Sequence, residues 1–103
     1  MAILIDRWER RDNADRNALG TAALDLCRAV RAAEGTRSAR FYWNGPDAIA
    51  LLWDAESAEV FDRPPTQPAA RAVFALADLA RNTGSERWSE PGRAQEAYRL
   101  AGR

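Results

Sequence analysis

Two short apolar segments joined by one turn constrain the fold more than anything else in this chain. Ala39-Arg40-Phe41-Tyr42-Trp43-Asn44 and Ala48-Ile49-Ala50-Leu51-Leu52-Trp53-Asp54 flank Asn44-Gly45-Pro46-Asp47, whose residue types suit a tight turn. The spacing predicts a β-hairpin. Alternation sets Arg40, Tyr42 and Asn44 on one face of the first strand and Phe41 and Trp43 on the other. In the second strand Ile49, Leu51 and Trp53 oppose Ala50, Leu52 and Asp54. Apolar bulk falls on both faces, so the sheet needs cover on both.

The flanking sequence supplies cover for one face. Residues 2–10 read as a strand with Ile3, Ile5 and Arg7 on one side and Leu4, Asp6 and Trp8 on the other. From Asn13 the period changes, and Leu19, Ala23, Leu26, Val30 and Ala33 mark one stripe of a helix capped by Asp12 or Asn13 and ended by Gly35. Gly20 costs this helix about 1 kcal/mol in propensity, which suggests a close approach to the sheet. After the hairpin, residues 55–61 suit a short helical turn, and Arg63-Pro64-Pro65-Thr66-Gln67-Pro68 interrupts regular structure. A second helix follows, with Thr66 as cap, Pro68 in its first turn, Ala69, Val73, Leu76 and Ala80 as its stripe and Gly84 as its stop. Residues 86–89 then suit a short last strand, and residues 93–101 a terminal helix.

This order gives a single α+β domain over residues 1–103. A ferredoxin-like βαββαβ core occupies 1–90, with a four-stranded antiparallel sheet and both helices on one face, and 91–103 form a C-terminal helical extension. The 47% apolar content includes 22 alanines, so the core is thin. The second sheet face has no cover within the chain, and Trp8, Trp43 or Trp53 with their aliphatic neighbours populate it in part. A second copy stacking sheet on sheet is the expected cover, giving a homodimer whose sheets enclose a pocket.

Composition narrows the chemistry. All fifteen basic residues are arginine, and lysine and histidine are absent. That excludes a Schiff-base or Walker-type lysine, a Ser-His or Cys-His nucleophile pair, and histidine-ligated haem or zinc. Carboxylates, tyrosine, one thiol and the ligand itself remain, so no cofactor and no metal site are expected. Fifteen acids balance the arginines without a single-sign run, which argues against nucleic acid. Apolar runs fall short of the roughly twenty residues of a membrane span. A lone Cys27 and no signal-like segment before the first strand lead to a cytoplasmic expectation.

Ile5-Asp6-Arg7-Trp8, the long first helix and Leu51-Leu52-Trp53-Asp54-Ala55-Glu56-Ser57-Ala58-Glu59-Val60-Phe61 resemble the dimeric α+β barrel superfamily that includes antibiotic-biosynthesis-type monooxygenases. In that superfamily a hairpin strand ending in tryptophan and an acid is followed by a short helix opening on a Ser-Ala-Glu-like run. The resemblance spans roughly residues 2–62. The very short last strand and the proline-rich segment with its terminal helix depart from the pattern. Activities there range from quinone-forming oxygenation to haem degradation and isomerisation, so the resemblance implies a fold more than a reaction. Members that oxygenate polycyclic phenols use Asn, Trp, Tyr and Arg side chains without metal or flavin, which by residue type implies Tyr42, Asn44, Arg40 and Trp53.

The candidate catalytic residues are Tyr42, Asn44 and Asp6; the candidate ligand-binding residues are Arg40, Trp53, Trp8 and Trp88. Asp6 lies between Leu4 and Trp8 on a face that reads as buried, where an isolated charge is costly. It serves either as a general base toward an acidic phenol or 1,3-dicarbonyl, or as the partner of an arginine such as Arg40 or one across the dimer interface. Trp43 and Trp53 suit core or interface, and Trp88 a pocket mouth or the terminal helix. Cys27 reads as a small buried hydrophobe, and Asp12/Asp15 and Glu56/Glu59 as solvated helix ends. Three functions stay open: a homodimer enclosing a small apolar or aromatic ligand, a cofactor-independent monooxygenase or isomerase acting on a polyketide-like phenol, and a protein-interaction module docking through the segment from Arg63 onward.

Overall fold

A computed structural model of the chain describes residues 1–90; the expected terminal helix lies outside the described residues. The element order is β1 (Ala2–Arg10), α1 (Arg16–Arg31), β2 (Thr36–Asn44), β3 (Ala48–Ala55), α2 (Glu59–Asp62), α3 (Gln67–Leu79) and β4 (Ala80–Ser89). The four strands form one antiparallel sheet in the order β2-β3-β1-β4. This is the expected ferredoxin-like α+β arrangement, with α2 as a single added turn.

The hairpin forms as its sequence dictates. Gly45 takes φ 72° in the turn, a left-handed conformation that a residue without Cβ adopts freely. Gly35 does the same at φ 86° after α1, and a Cβ there would lie 2.7 Å from Val60 Cγ2.

Helix α1 buries Leu19, Ala22, Ala23, Leu26 and Cys27, so the expected stripe faces the sheet. Its cap is Asp15, not Asp12 or Asn13: the Asp15 carboxylate accepts from the amides of Asn17 and Ala18. The shift has a local cause. Arg10 donates to the Ala14 carbonyl at 2.7 Å, holding residues 12–14 in the turn that leaves β1. Gly20 lies where a Cβ would come 3.4 Å from Trp43 Cζ2, confirming the close approach of helix to sheet. The Arg16 guanidinium, 3.9 Å from the Trp43 ring centroid, covers the same indole.

Helix α3 starts as expected, with Thr66 Oγ1 accepting from the Ala69 amide at 3.3 Å and a proline in the first turn. Its end differs. The helix stops at Leu79, well before Gly84, and Ala80 already opens β4. The last strand is ten residues long instead of four. Residues 81–87 show no apolar alternation because β4 is an edge strand held by backbone pairing to β1, and polar residues suit an exposed edge. The register passes from Arg7↔Gly84 to Trp8↔Asn82, leaving Thr83 as the extra residue of a bulge beside Gly84. Of the predicted α3 stripe only Leu76 is buried within the helix, Val73 being 39% exposed; Phe74, outside the stripe, is 74% exposed. The core unites Leu19, Ala23 and Leu26 of α1 with Trp8, Ala39, Ile49 and Leu51 of the sheet and Leu76 of α3.

Candidate functional site

Strand pairing assigns each candidate residue to a face. Leu4 opposes Trp53, which opposes Ala39; Asp6 opposes Leu51, which opposes Phe41; Trp8 opposes Ile49, which opposes Trp43. These rows face the helices. The alternate rows, Ile3 with Asp54 and Ser38, Ile5 with Leu52 and Arg40, and Arg7 with Ala50 and Tyr42, make the open face. Asp6, Trp8 and Trp53 therefore share one side of the sheet, and Arg40, Tyr42, Asn44 and Trp88 the other.

Of Trp53 and Asp54, the two residues of the second hairpin strand able to approach Arg40, Tyr42 and Asn44, Trp53 does not, because it pairs with Ala39, one residue out of step with Arg40. Asp54 does approach. The Tyr42 phenol, followed by the Asp54 charge, holds the Arg40 guanidinium above its ordinary pKa. The expected Asp6–Arg40 ion pair is absent for the same reason of pleating. Asp6 instead accepts a hydrogen bond from Ser85, its cross-strand neighbour on β4.

A cavity of about 410 Å³ opens on the helix face within one chain. This cavity is separate from the pocket expected between the open faces of two copies. Its floor is Leu4, Leu51 and Trp53, its roof Leu26 and Val30 of α1, and its outer wall Phe61, Pro64, Pro65 and Val73. The space arises because α3 packs mainly along α1 and touches the sheet near the start of β4, so neither helix covers the β1–β3 seam at this end.

The walls are held by specific contacts. The Trp53 indole donates to Thr36 Oγ1 at 2.9 Å and meets Phe61 edge to face, with centroids 5.0 Å apart. Arg87 reaches from β4 to Asp62 of α2 at 2.6 Å, with its guanidinium 5.7 Å from the Phe61 centroid. Arg63 donates to the Glu34 carbonyl at 2.9 Å, tying the proline segment to the end of α1. Asp6 contributes a half-buried carboxylate to the lining and Cys27 a buried thiol. Burial pushes the Cys27 pKa up against the opposing effect of Arg31, which keeps it a neutral thiol, as the sequence suggested.

Trp8 packs into the core outside the cavity, 8% exposed, and its Nε1 has no hydrogen-bond partner among the described residues. Trp88 is 62% exposed on the open face and donates to Glu86 Oε2 at 3.2 Å. Hydrogen bonds from Arg7 and then Trp88 hold the Glu86 carboxyl below the ordinary glutamate range. Tyr42 is 51% exposed and Asn44 lies exposed at the hairpin end. Sequence reasoning missed Ser85, Thr36 and the Pro64-Pro65 wall. The proline pair carried a signal as a stiff segment after a short helix, whereas Ser85 and Thr36 carried none.

No protein-family profile matches the chain, and no curated protein matches it. Solved structures do. A conserved protein of unknown function from Bacteroides thetaiotaomicron superposes with a TM-score of 0.72 at 20% identity, over 86% of this chain and 97% of that one. The chain has an antibiotic-biosynthesis-monooxygenase-like α+β fold. An antibiotic biosynthesis monooxygenase gives a TM-score of 0.70 at 12% identity, covering 89% and 98%. SnoaB, a cofactor-independent oxygenase from Streptomyces nogalater, gives 0.69 at 8% identity, covering 88% and 93%. The likeness is one of fold, and the long β4 removes one of the two departures from that pattern noted in the sequence. No helix among the described residues is long and apolar enough to cross a membrane.

Proposed function

We propose that this protein binds a small apolar or aromatic ligand in the helix-side cavity, and that two copies associate through their open sheet faces. The observation that carries the reading is the cavity itself: its volume falls within the roughly 300–1,000 Å³ of small-molecule sites, and its lining is mostly aliphatic and aromatic. Trp53 forms part of the floor, so tryptophan emission titrated with planar aromatics reports occupancy. Saturable change supports binding; a flat response across the panel overturns it.

Association draws support from the open face, where Ile3, Ile5 and Leu52 are only half-buried beside the exposed Tyr42 and Trp88. Apolar area of this kind contributes about 25 cal/mol per Å² when removed from water. Light scattering at micromolar concentration tests it, a stable single chain being the contrary result. The free, buried Cys27 suits a cytoplasmic setting.

A second reading, oxygenation of a polycyclic phenol without a cofactor, is favoured by the likeness to SnoaB together with a carboxylate on the cavity wall. Asp6 would take the phenolic proton, leaving the electron-rich phenolate as the reductant of oxygen. Tyr42 and Asn44, on the opposite face, do not reach this cavity in the same chain. Oxygen consumption with such phenols should be lost in Asp6→Asn and kept in Tyr42→Phe; consumption indifferent to Asp6 refutes this reading.

A further inference from the structure

Resting on the cavity reading, we propose that Asp6 makes the cavity selective for apolar ligands that carry one N–H or O–H donor, an ammonium most of all, and against carboxylates. Of the other uncharged or acidic polar residues of the lining, Glu34 and Thr66 are exposed, whereas Asp6 is half-buried. The Trp53 indole N–H is engaged by Thr36, and the Ser85 hydroxyl by Asp6 itself. Cys27 is a neutral thiol. Two cations belong to the lining, and both are exposed: Arg63 donates to the Glu34 carbonyl and Arg40 lies beside Tyr42 and Asp54, while Arg87, outside the lining, pairs with Asp62. Among the described residues Asp6 forms no ion pair, and Ser85 is its hydrogen-bonding partner.

A carboxylate has about four acceptor positions on its two oxygens, and one serine hydroxyl leaves most of them open. A ligand donor completes them through a charge-assisted hydrogen bond, in surroundings where such bonds are roughly twice as strong as neutral ones. A ligand carboxylate meets the opposite situation, a like charge at Asp6, with the guanidiniums of the lining, Arg40 and Arg63, both exposed to solvent. The volume suits a body of about two fused rings.

Naphthalene, 1-naphthol, 1-naphthylmethylamine and 1-naphthoate share one apolar body and differ in the group offered to Asp6. Dissociation constants at pH 7, read from tryptophan emission and calorimetry, should place the amine about tenfold or more tighter than naphthalene, naphthol between them and naphthoate weakest. In Asp6→Asn, which keeps an acceptor for Ser85, the amine should lose most of its advantage and naphthoate should recover. Ser85→Ala, which retains the carboxylate, should keep the wild-type ranking. If naphthoate binds the wild-type protein as tightly as the amine, the proposal is overturned, as it is if Asp6→Asn preserves the ranking. Equal binding of all four overturns the selectivity alone. Failure of all four to bind overturns the cavity reading and the selectivity together. The wild-type ranking decides the matter even if Asp6→Asn folds poorly.

Discussion

The two faces of the sheet are built from alternate residues of the same strands and do opposite work. On the helix face Phe41, Trp43, Ile49, Leu51 and Trp53 meet α1 and α3, and the space those helices leave becomes a lined cavity. On the open face Arg40, Tyr42, Leu52 and Arg7, with Glu86 and Trp88 of β4, carry apolar side chains among ion pairs. One face encloses a cavity inside a single chain; the other mixes apolar and charged side chains at the surface, and on the proposed function the first would hold the ligand and the second the partner copy. A half-step along the strand separates the two roles.

If that division is right, substitutions on the two faces should separate folding from association. Leu19→Ala, at a fully buried position of α1, should destabilise the chain by about 2–5 kcal/mol in urea unfolding; a loss below about 1 kcal/mol would mean that the helix face is not the core. Gly35→Ala should cost about 1–3 kcal/mol, since it forces a left-handed residue and drives a Cβ against Val60. Thr66→Ala should cost about 1 kcal/mol by removing the cap of α3, loosening the outer wall of the cavity more than the sheet. Leu52→Arg, on the open face, should change unfolding of the isolated chain little yet convert dimer to monomer in light scattering while aromatic binding persists. Loss of both association and binding would show that the faces are not independent.

The smallest effect concerns pH. Glu86 has a folded-state pKa below its ordinary value, so the stabilisation from its contacts with Arg7 and Trp88 is present above the unfolded pKa of about 4.3 and is lost as pH falls through the lower folded value. Trp88 emission should titrate below about pH 4.3, and Glu86→Gln should abolish that transition. A transition at higher pH would remove Arg7 as the cause.

Local physics made much of this fold legible. The hairpin, α1 and the Thr66 cap follow from periodicity and turn chemistry, which act within a few residues. The remaining features depend on contacts that residue type alone does not reveal. Asp12 and Asn13 were as good caps as Asp15 until Arg10 reached the Ala14 carbonyl. Residues 80–85 lack any strand pattern because backbone pairing with β1, not side-chain burial, makes them a strand. The site suffered most. Alternation alone puts Arg40, Tyr42 and Asn44 on one face, but which face meets the helices depends on the register to β1, and so does the choice of Ser85 over Arg40 as the partner of Asp6.

The cavity within a single chain is tested most directly by a crystal structure of the protein soaked with 1-naphthol. Electron density for the rings should lie on the helix face against Leu51 and Trp53, with the hydroxyl directed toward Asp6. Density sandwiched between two sheets against Tyr42 and Trp88, with the helix-side cavity collapsed or filled by the chain itself, would contradict it.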